Sequence, residues 1–270
     1  MRALVGKQGA ERRTGLARRI AGADWAPTSG SSPEPEAQRS DPSGTVAYRM
    51  AKALTSSALR RCYRVDVKGL AQVPDRGPMV LAANHRSFMD SIFLALVTPR
   101  PITFIAKAEY FDSWRTAWAF RATGQIPLRR GSPTGARQAL ATAGGVLARH
   151  GIVGVYPEGT RSRDGRLQPG NTGPARLALA SGAPIVPVGL VGTDAVQAPG
   201  EWLPHLFRTV TVRFGAPLEV TRGERLRSRK AELRGATERL MSSIAELCGQ
   251  EYEVARASDT LIGAEHDADA

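Results

Sequence analysis

Two residue types that together perform acid–base chemistry lie close together in the segment Asn84–Asp90. His85 and Asp90 are separated by four residues, where the apolar run Met79–Ala83 gives way to polar residues. The carboxyl end of a strand is where α/β proteins usually hold ligands. A carboxylate that accepts the Nδ1 proton of a histidine leaves Nε2 free to take a proton from a hydroxyl. The spacing suggests a general base, and the alternative is a helix cap at Asp90 or Ser87 beside a polar histidine.

A second polar turn follows the apolar run Ile152–Tyr156. Gly159 in this turn would let main-chain N–H groups approach an anion, and Arg161 supplies a guanidinium that can donate two parallel hydrogen bonds. Glu158 could accept from a substrate hydroxyl or hold an arginine in place. Taken alone, the segment is explained better by an ordinary turn with solvated charges.

Two adjacent arginines, Arg129 and Arg130, end a third segment that begins with the short apolar run Gln125–Leu128. Neighbouring side chains of a strand point to opposite faces, so one arginine could face a site and the other solvent. Taken alone, two solvated arginines are the better explanation. A fourth segment, Pro184–Gly189, carries no titratable side chain and is typical of a core strand followed by a turn.

The elements that must position these residues alternate along the chain. Strand-length apolar runs are Met79–Ala83, Ile102–Ala106, Gln125–Leu128, Ile152–Tyr156, Ile185–Leu190 and Val210–Phe214. Helical patterns are Ser91–Val97, Gly135–His150, Gly173–Ser181 and Glu224–Gln250, and an amphipathic pattern runs from Val46 to about Arg64. This alternation predicts an α/β fold with a sheet packed by helices.

The ends of the chain differ from its middle in composition. Residues 1–43 are rich in Gly, Ser, Pro and charge, which predicts a disordered leader, and residues 251–270 carry six acids against Arg256, which predicts a mostly disordered tail. The domain is therefore expected over residues 44–250. The net charge is +12, and residues 46–250 alone hold 29 basic and 14 acidic side chains. A cationic domain of this kind fits anionic partners, whether nucleic acid, an anionic lipid surface or a phosphorylated substrate.

Membrane contact is a separate question. The sequence has no stretch approaching the roughly 20 apolar residues that cross a bilayer and no secretory signal, so we expect a cytosolic chain or one bound to a membrane from the cytoplasmic side. In Tyr110–Arg121, aromatic residues are mixed with arginines, and Trp114 and Trp118 are spaced for one helical face. Such a face could lie among lipid headgroups or in the core.

In this order and spacing, the four segments resemble the glycerolipid acyltransferase superfamily, which includes the lysophosphatidic acid acyltransferases. The matching residues are Asn84, His85 and Asp90 in the first block, Arg130 in the second, Tyr156 through Ser162 in the third, and Val186 with Pro187 in the fourth. The resemblance covers roughly residues 60–220 and implies a mixed central sheet flanked by helices.

The resemblance also implies a reaction. His85 and Asp90 would be catalytic, and a fatty acyl group would pass from acyl-CoA or acyl-carrier protein to a lysophospholipid, 1-acylglycerol 3-phosphate above all, to give phosphatidic acid. Residues of the second and third blocks would bind the acceptor phosphate: Arg130, Glu158, Gly159, Thr160 and Arg161. No metal or cofactor is expected, and the partners are the thioester donor, the lysophospholipid and an anionic membrane surface rather than nucleic acid.

Two residues depart from the family's pattern. Arg129 stands where an aspartate is common, and Asn171 stands where a lysine often follows the third block. Both lie in the inferred acceptor region, so glycerol 3-phosphate or an amino-lipid remains an alternative acceptor. A basic nucleic-acid-binding protein remains an alternative from another class, but it would leave the His/Asp and Glu/Gly/Arg blocks unexplained.

Overall fold

A single seven-stranded sheet organises the part of the chain that the computed structural model describes, residues 46–221 and 229–252. The strands are β1 (Arg64–Lys68), β2 (Met79–Ala83), β3 (Ile102–Lys107), β4 (Ile126–Leu128), β5 (Ile152–Val155), β6 (Ile185–Val191) and β7 (Thr209–Phe214). Their order is β1-β7-β6-β2-β5-β3-β4, and every neighbouring pair is parallel except β6 with β7. The predicted α/β fold with a mixed sheet is confirmed.

The helices of the described residues connect these strands. They are α1 (Val46–Cys62), α2 (Asp90–Val97), α3 (Glu109–Asp112), α4 (Ala117–Ala122), α5 (Pro133–Ala148), α6 (Gly173–Ser181), α7 (Thr193–Val196) and α8 (Arg229–Cys248). At the start of α5, Ser132 Oγ accepts a hydrogen bond from Gly135 N at 3.0 Å, which satisfies one of the free amides of the first turn. Within the described ranges, no helix combines the length and apolarity that crossing a bilayer requires.

The core lies on both faces of the sheet. In β2 all five side chains are buried, and alternate residues point to opposite sides. Met79 and Leu81 pack in one cluster with Phe93 of α2, while Val80 joins a second cluster on the other face with Leu240 of α8. A central parallel strand buried on both faces is expected to be apolar throughout. All five residues of Met79–Ala83 are apolar, as this rule requires.

The carboxyl ends of five strands lie along one edge of the sheet, where the candidate site is found. Strands β2 to β6 run in the same direction, so their carboxyl ends meet at one edge, which we call the catalytic edge. Because β7 and β1 run the opposite way, their first residues, Thr209 and Arg64, lie at this same edge. The loops that follow β2, β3, β4, β5 and β6 and the loop that precedes β7 therefore come together there.

Several sequence-based expectations differ from the structure. β1, α3 and α7 were not predicted. Because α4 begins only at Ala117, Trp114 precedes it, and the predicted helical face shared by Trp114 and Trp118 is wrong. Their exposed fractions of 82% and 70% also exclude a place in the core. The predicted leader, residues 1–43, and all but residues 251–252 of the predicted tail lie outside the described residues, so those domain boundaries stay predictions.

Candidate active site

The carboxylate of Asp90 organises the loop between β2 and α2. Asp90 Oδ2 lies 2.8 Å from His85 Nδ1 and accepts hydrogen bonds at 2.8 Å from the main-chain amides of Arg86 and Ser87. Asp90 is fully buried, whereas the His85 side chain keeps 15% of its surface exposed. An ionised Asp90 accepts the Nδ1 proton, so a neutral imidazole carries its free lone pair on Nε2. This arrangement matches the predicted pairing of His85 with Asp90.

Residues of the third sequence block hold the main chain of His85 in position. His85 N donates to Glu158 Oε1 at 2.8 Å, and His85 O accepts from Ser162 N at 2.8 Å. The second carboxylate oxygen of Glu158 accepts from Gln168 N at 3.0 Å. Glu158 therefore ties the His85 loop to the turn after β5 and to the segment that follows it. Sequence reasoning had not found this link, because the partners lie 73 residues apart along the chain.

The environment of Glu158 shifts its titration. Burial raises the pKa of the Glu158 carboxyl to about 7, while the two main-chain hydrogen bonds act in the opposite direction. Only 7% of the residue is exposed. Both oxygens serve main-chain donors, so the side chain acts on the site by holding its loops in position.

Tyr156 fixes the plane of the imidazole. Its ring stacks on His85 with centroids 3.9 Å apart and planes 14° apart, and the ring of Phe104 lies nearly parallel to that of Tyr156 with centroids 6.1 Å apart. The Tyr156 hydroxyl shares a 2.8 Å hydrogen bond with Ser91 Oγ. Burial raises the pKa of this hydroxyl well above its ordinary range, so it stays protonated. The aromatic position of the third block thus supports the histidine of the first.

Asn84 joins the carboxyl ends of β2 and β6. Its Oδ1 accepts from Leu190 N at 2.7 Å, and its Nδ2 donates to Leu190 O at 3.0 Å and to Gln250 Oε1 at 2.6 Å. Gln250 in turn donates to Gly165 O at 2.7 Å. A fully buried amide whose oxygen and nitrogen are both paired stabilises this loop rather than contacting a ligand.

A cleft of about 1580 Å³ opens at the catalytic edge beside His85. Its apolar lining includes Phe88, Ile92, Phe104, Phe120 and Leu140. The cationic side chains in its wall are Lys107, Arg129, Arg130, Arg137, Arg161, Arg163 and Arg176, against Glu158 as the one acid among the described lining residues. A cleft lined by both apolar and cationic side chains suits a ligand that combines a hydrocarbon chain with an anionic group.

All residues predicted to bind the acceptor phosphate line this cleft together with His85. The expectation that Arg129 and Arg130 face opposite sides is wrong, because β4 ends at Leu128 and both arginines follow it into the cleft wall. Thr160 is exposed and Arg161 is half-buried. Gly159 has a φ of 72°, and its N–H donates to Tyr156 O at 3.0 Å within the turn.

Asn171, the second departure from the family's pattern, supports the same turn. Its Nδ2 and its main-chain amide both donate to Pro157 O, at 3.0 and 2.9 Å. A Cβ at Gly159 would lie 3.1 Å from Asn171 Nδ2. The side chain of Asn171 therefore packs against the glycine turn and holds it closed.

Comparisons with known proteins agree with this geometry. Residues 64–191 match the family model described as Acyltransferase. The chain is 34% identical over 152 residues to the chloroplastic 1-acyl-sn-glycerol-3-phosphate acyltransferase BAT2 of Brassica napus, which covers 56% of this chain and 44% of the relative. It is 31% identical over 126 residues to the human 1-acyl-sn-glycerol-3-phosphate acyltransferase alpha, covering 46% and 44% of the two chains. The chain thus spans less than half the length of these curated relatives.

A solved structure extends the similarity over more of the chain. It is the 1-acyl-sn-glycerophosphate acyltransferase PlsC of Thermotoga maritima, with a TM-score of 0.57 and 26% identity. The match covers 77% of this chain and 83% of the PlsC chain. Together with the family model and the curated relatives, it shows that residues 64–191 form an acyltransferase domain that is similar to those of 1-acyl-sn-glycerol-3-phosphate acyltransferases.

Proposed function

We propose that the chain transfers a fatty acyl group from an acyl thioester, either acyl-CoA or acyl-carrier protein, to the free hydroxyl of 1-acylglycerol 3-phosphate, giving phosphatidic acid. The observation that carries this proposal is the 2.8 Å contact between His85 Nδ1 and Asp90 Oδ2 beside a cleft lined by seven cationic side chains. Support for the acceptor comes from the curated relatives, which are named 1-acyl-sn-glycerol-3-phosphate acyltransferases.

The proposed reaction is a direct transfer with His85 as general base. His85 Nε2 takes the proton of the acceptor hydroxyl as its oxygen attacks the thioester carbonyl carbon. The new ester C–O bond forms, the C–S bond breaks, and the leaving thiolate takes up a proton from the imidazolium. The buried charge of Asp90 stabilises the imidazolium while it exists. The nearby serine hydroxyls have structural partners, since Ser87 Oγ accepts from Met89 N and Ser91 Oγ pairs with Tyr156, which favours direct transfer over an acyl-enzyme.

Charge in the cleft supports an anionic acceptor. We assign the acceptor phosphate to the wall formed by Arg130 and the turn Gly159–Arg161, because guanidinium groups bind phosphate with two hydrogen bonds and lose no charge at neutral pH. Arg129 adds a further cation where the family commonly has an acid. Glu158 contributes by holding the turn. The apolar wall would receive the acyl chains.

The acceptor is a lipid, so we propose that the chain works on the surface of an anionic membrane as a peripheral protein on the cytoplasmic side. The charge of residues 46–250, with 29 basic against 14 acidic side chains, supports attraction to such a surface.

Release of free thiol from acyl-CoA or acyl-carrier protein by the purified chain tests the proposal. The acceptors to compare are 1-acylglycerol 3-phosphate, 1-acylglycerol without phosphate, glycerol 3-phosphate and an amino-lipid. We expect the highest kcat/KM with 1-acylglycerol 3-phosphate. Faster release with glycerol 3-phosphate or the amino-lipid would reject this acceptor and retain acyl transfer. Salt-dependent DNA binding with no acceptor-dependent thiol release would instead favour the nucleic-acid alternative.

A further inference from the structure

Two loops at the catalytic edge expose large apolar side chains that the cleft does not use. The first, residues 113–121, carries Trp114 and Trp118 and includes the turn before α4 and most of α4 itself. The second, residues 202–208, carries Trp202 and Phe207, with exposed fractions of 83% and 82%, as well as Leu203 and Leu206. Single exposed apolar residues are common on soluble proteins, but a concentration of aromatics on adjacent loops marks an interaction surface.

The two loops adjoin each other and border the mouth of the cleft. Trp202 lines a shallow depression together with Ser113 and Thr116 of the first loop. Phe120 of the first loop and Gly200, just before the second, line the cleft itself. Both segments therefore border the cleft beside His85.

Phe207 has a conformation that packing does not explain. Its φ is 59°, in the left-handed region that non-glycine residues seldom occupy, and its ring projects into solvent. The residue is held there by its N–H, which donates to Cys62 O at 2.8 Å. A strained residue that presents an aromatic ring outward is more readily explained by a partner that covers the ring.

The surroundings of Phe207 are cationic. Its bond to Cys62 places it beside the end of α1 and the start of β1, where Arg60, Arg61 and Arg64 are exposed, and Arg208 follows it along the chain. The sequence has no acid between residues 53 and 65. Of the nearby acids, Glu109 pairs with Lys107 at 3.0 Å, and Glu201 Oε2 lies 3.3 Å from His205 Nε2.

We propose that loops 113–121 and 202–208 form a docking surface for an anionic lipid bilayer. Aromatic and leucine side chains enter the headgroup region, while the arginines around Phe207 attract anionic headgroups. A second copy of the chain fits less well, since it would set two arginine clusters against each other. Docking in this way turns the mouth of the cleft toward the lipid, and this part of the inference rests on the proposed function.

Flotation with vesicles of phosphatidylglycerol and phosphatidylcholine tests the surface. The variants are the double substitutions Trp202→Ser/Phe207→Asn and Trp114→Ser/Trp118→Ser. Asparagine is chosen at Phe207 because it tolerates the left-handed conformation. We expect each pair to weaken vesicle partitioning by about tenfold or more. The control Leu70→Ser removes a 39% exposed leucine just after β1, at the opposite edge of the sheet, and should leave binding unchanged.

A second measurement separates failure of the surface from failure of the function. On a short-chain 1-acylglycerol 3-phosphate dissolved as monomers, the double variants should keep the kcat of the unsubstituted chain, while their rate on vesicle-embedded acceptor falls with partitioning. Absence of transfer in the unsubstituted chain on both acceptors would reject the proposed function and leave the flotation result valid. Unchanged flotation of both double variants would overturn the docking surface. Loss of self-association without loss of flotation would overturn it too, in favour of a second copy.

Discussion

Replacing Glu158 with glutamine should remove about 2.5 kcal/mol of the change in the chain's stability between pH 5 and pH 8. Burial raises the pKa of this carboxyl to about 7 in the folded chain, against an ordinary value of 4.5. The folded chain therefore holds the proton more tightly than the unfolded chain. The stabilisation that the protonated Glu158 carboxyl gives the folded chain is complete below about pH 4.5 and is lost as the pH rises through about 7.

The size of the effect follows from the two values. A pKa that rises from 4.5 to about 7 corresponds to roughly 3 kcal/mol in the free energy of unfolding, of which about 2.5 kcal/mol is lost between pH 5 and pH 8. Glutamine does not titrate. It also sets an NH2 group against one of the two main-chain donors, so Glu158→Gln should cost about 1–3 kcal/mol at pH 5.

Urea denaturation followed by far-ultraviolet circular dichroism, at half-unit intervals from pH 5 to pH 8, measures this directly. Subtracting the Glu158→Gln curve from that of the unsubstituted chain cancels the other titrating groups. The matched control is Glu219→Gln, an exposed carboxylate that should retain the pH dependence of the unsubstituted chain. Equal pH dependence in Glu158→Gln and the unsubstituted chain would refute the reasoning about the buried carboxyl.

Three further substitutions test the site and the core. Asp90→Asn keeps an acceptor for the Nδ1 proton of the imidazole but removes the charge that stabilises the imidazolium, so kcat in the thiol-release assay should fall by about 100-fold, and an unchanged kcat would contradict this role. Arg161→Ala should raise KM for 1-acylglycerol 3-phosphate by about tenfold, whereas Arg149→Ala, outside the cleft, should not; equal effects would count against the phosphate assignment. Gly189→Ala would set a Cβ 2.5 Å from the main chain of Leu247, so the free energy of unfolding should drop by about 2 kcal/mol or more, and a urea midpoint equal to that of the unsubstituted chain would show that α8 can move away.

The parts of the fold with strong patterns were predictable. Met79–Ala83 and Gly173–Ser181 have the bounds expected from their apolar runs and flanking glycine or polar residues. β1 was missed because Arg64–Lys68 alternates charged residues with valines at the edge of the sheet, and so lacks the continuous apolar run of a central strand. α4 was misjudged in extent because its aromatic residues are on the surface, where apolar periodicity does not report burial.

The candidate site, like the fold, could be predicted only in part from the sequence. The contact of His85 with Asp90 is local, five residues apart, and the sequence could suggest it. The role of Glu158 could not be foreseen, because its partners are main-chain amides of His85 and Gln168, and only the parallel pairing of β2 with β5 brings the first of these within reach. Every residue except proline has a main-chain amide, so residue types do not show which amide a side chain will accept from. The stacking of Tyr156 on the imidazole was missed for the related reason that an aromatic residue after a strand resembles ordinary core.

Thiol release by His85→Ala tests the central claim most directly. The substrates are acyl-CoA and 1-acylglycerol 3-phosphate, and circular dichroism checks that the variant remains folded. The matched control is His150→Asn, an exposed histidine with a φ of 62° outside the cleft, where asparagine tolerates the conformation. If His85 is the general base, its substitution lowers kcat by at least about 100-fold, while His150→Asn retains the rate of the unsubstituted chain. A folded His85→Ala chain that keeps more than about a tenth of the original kcat would contradict general-base catalysis by this residue.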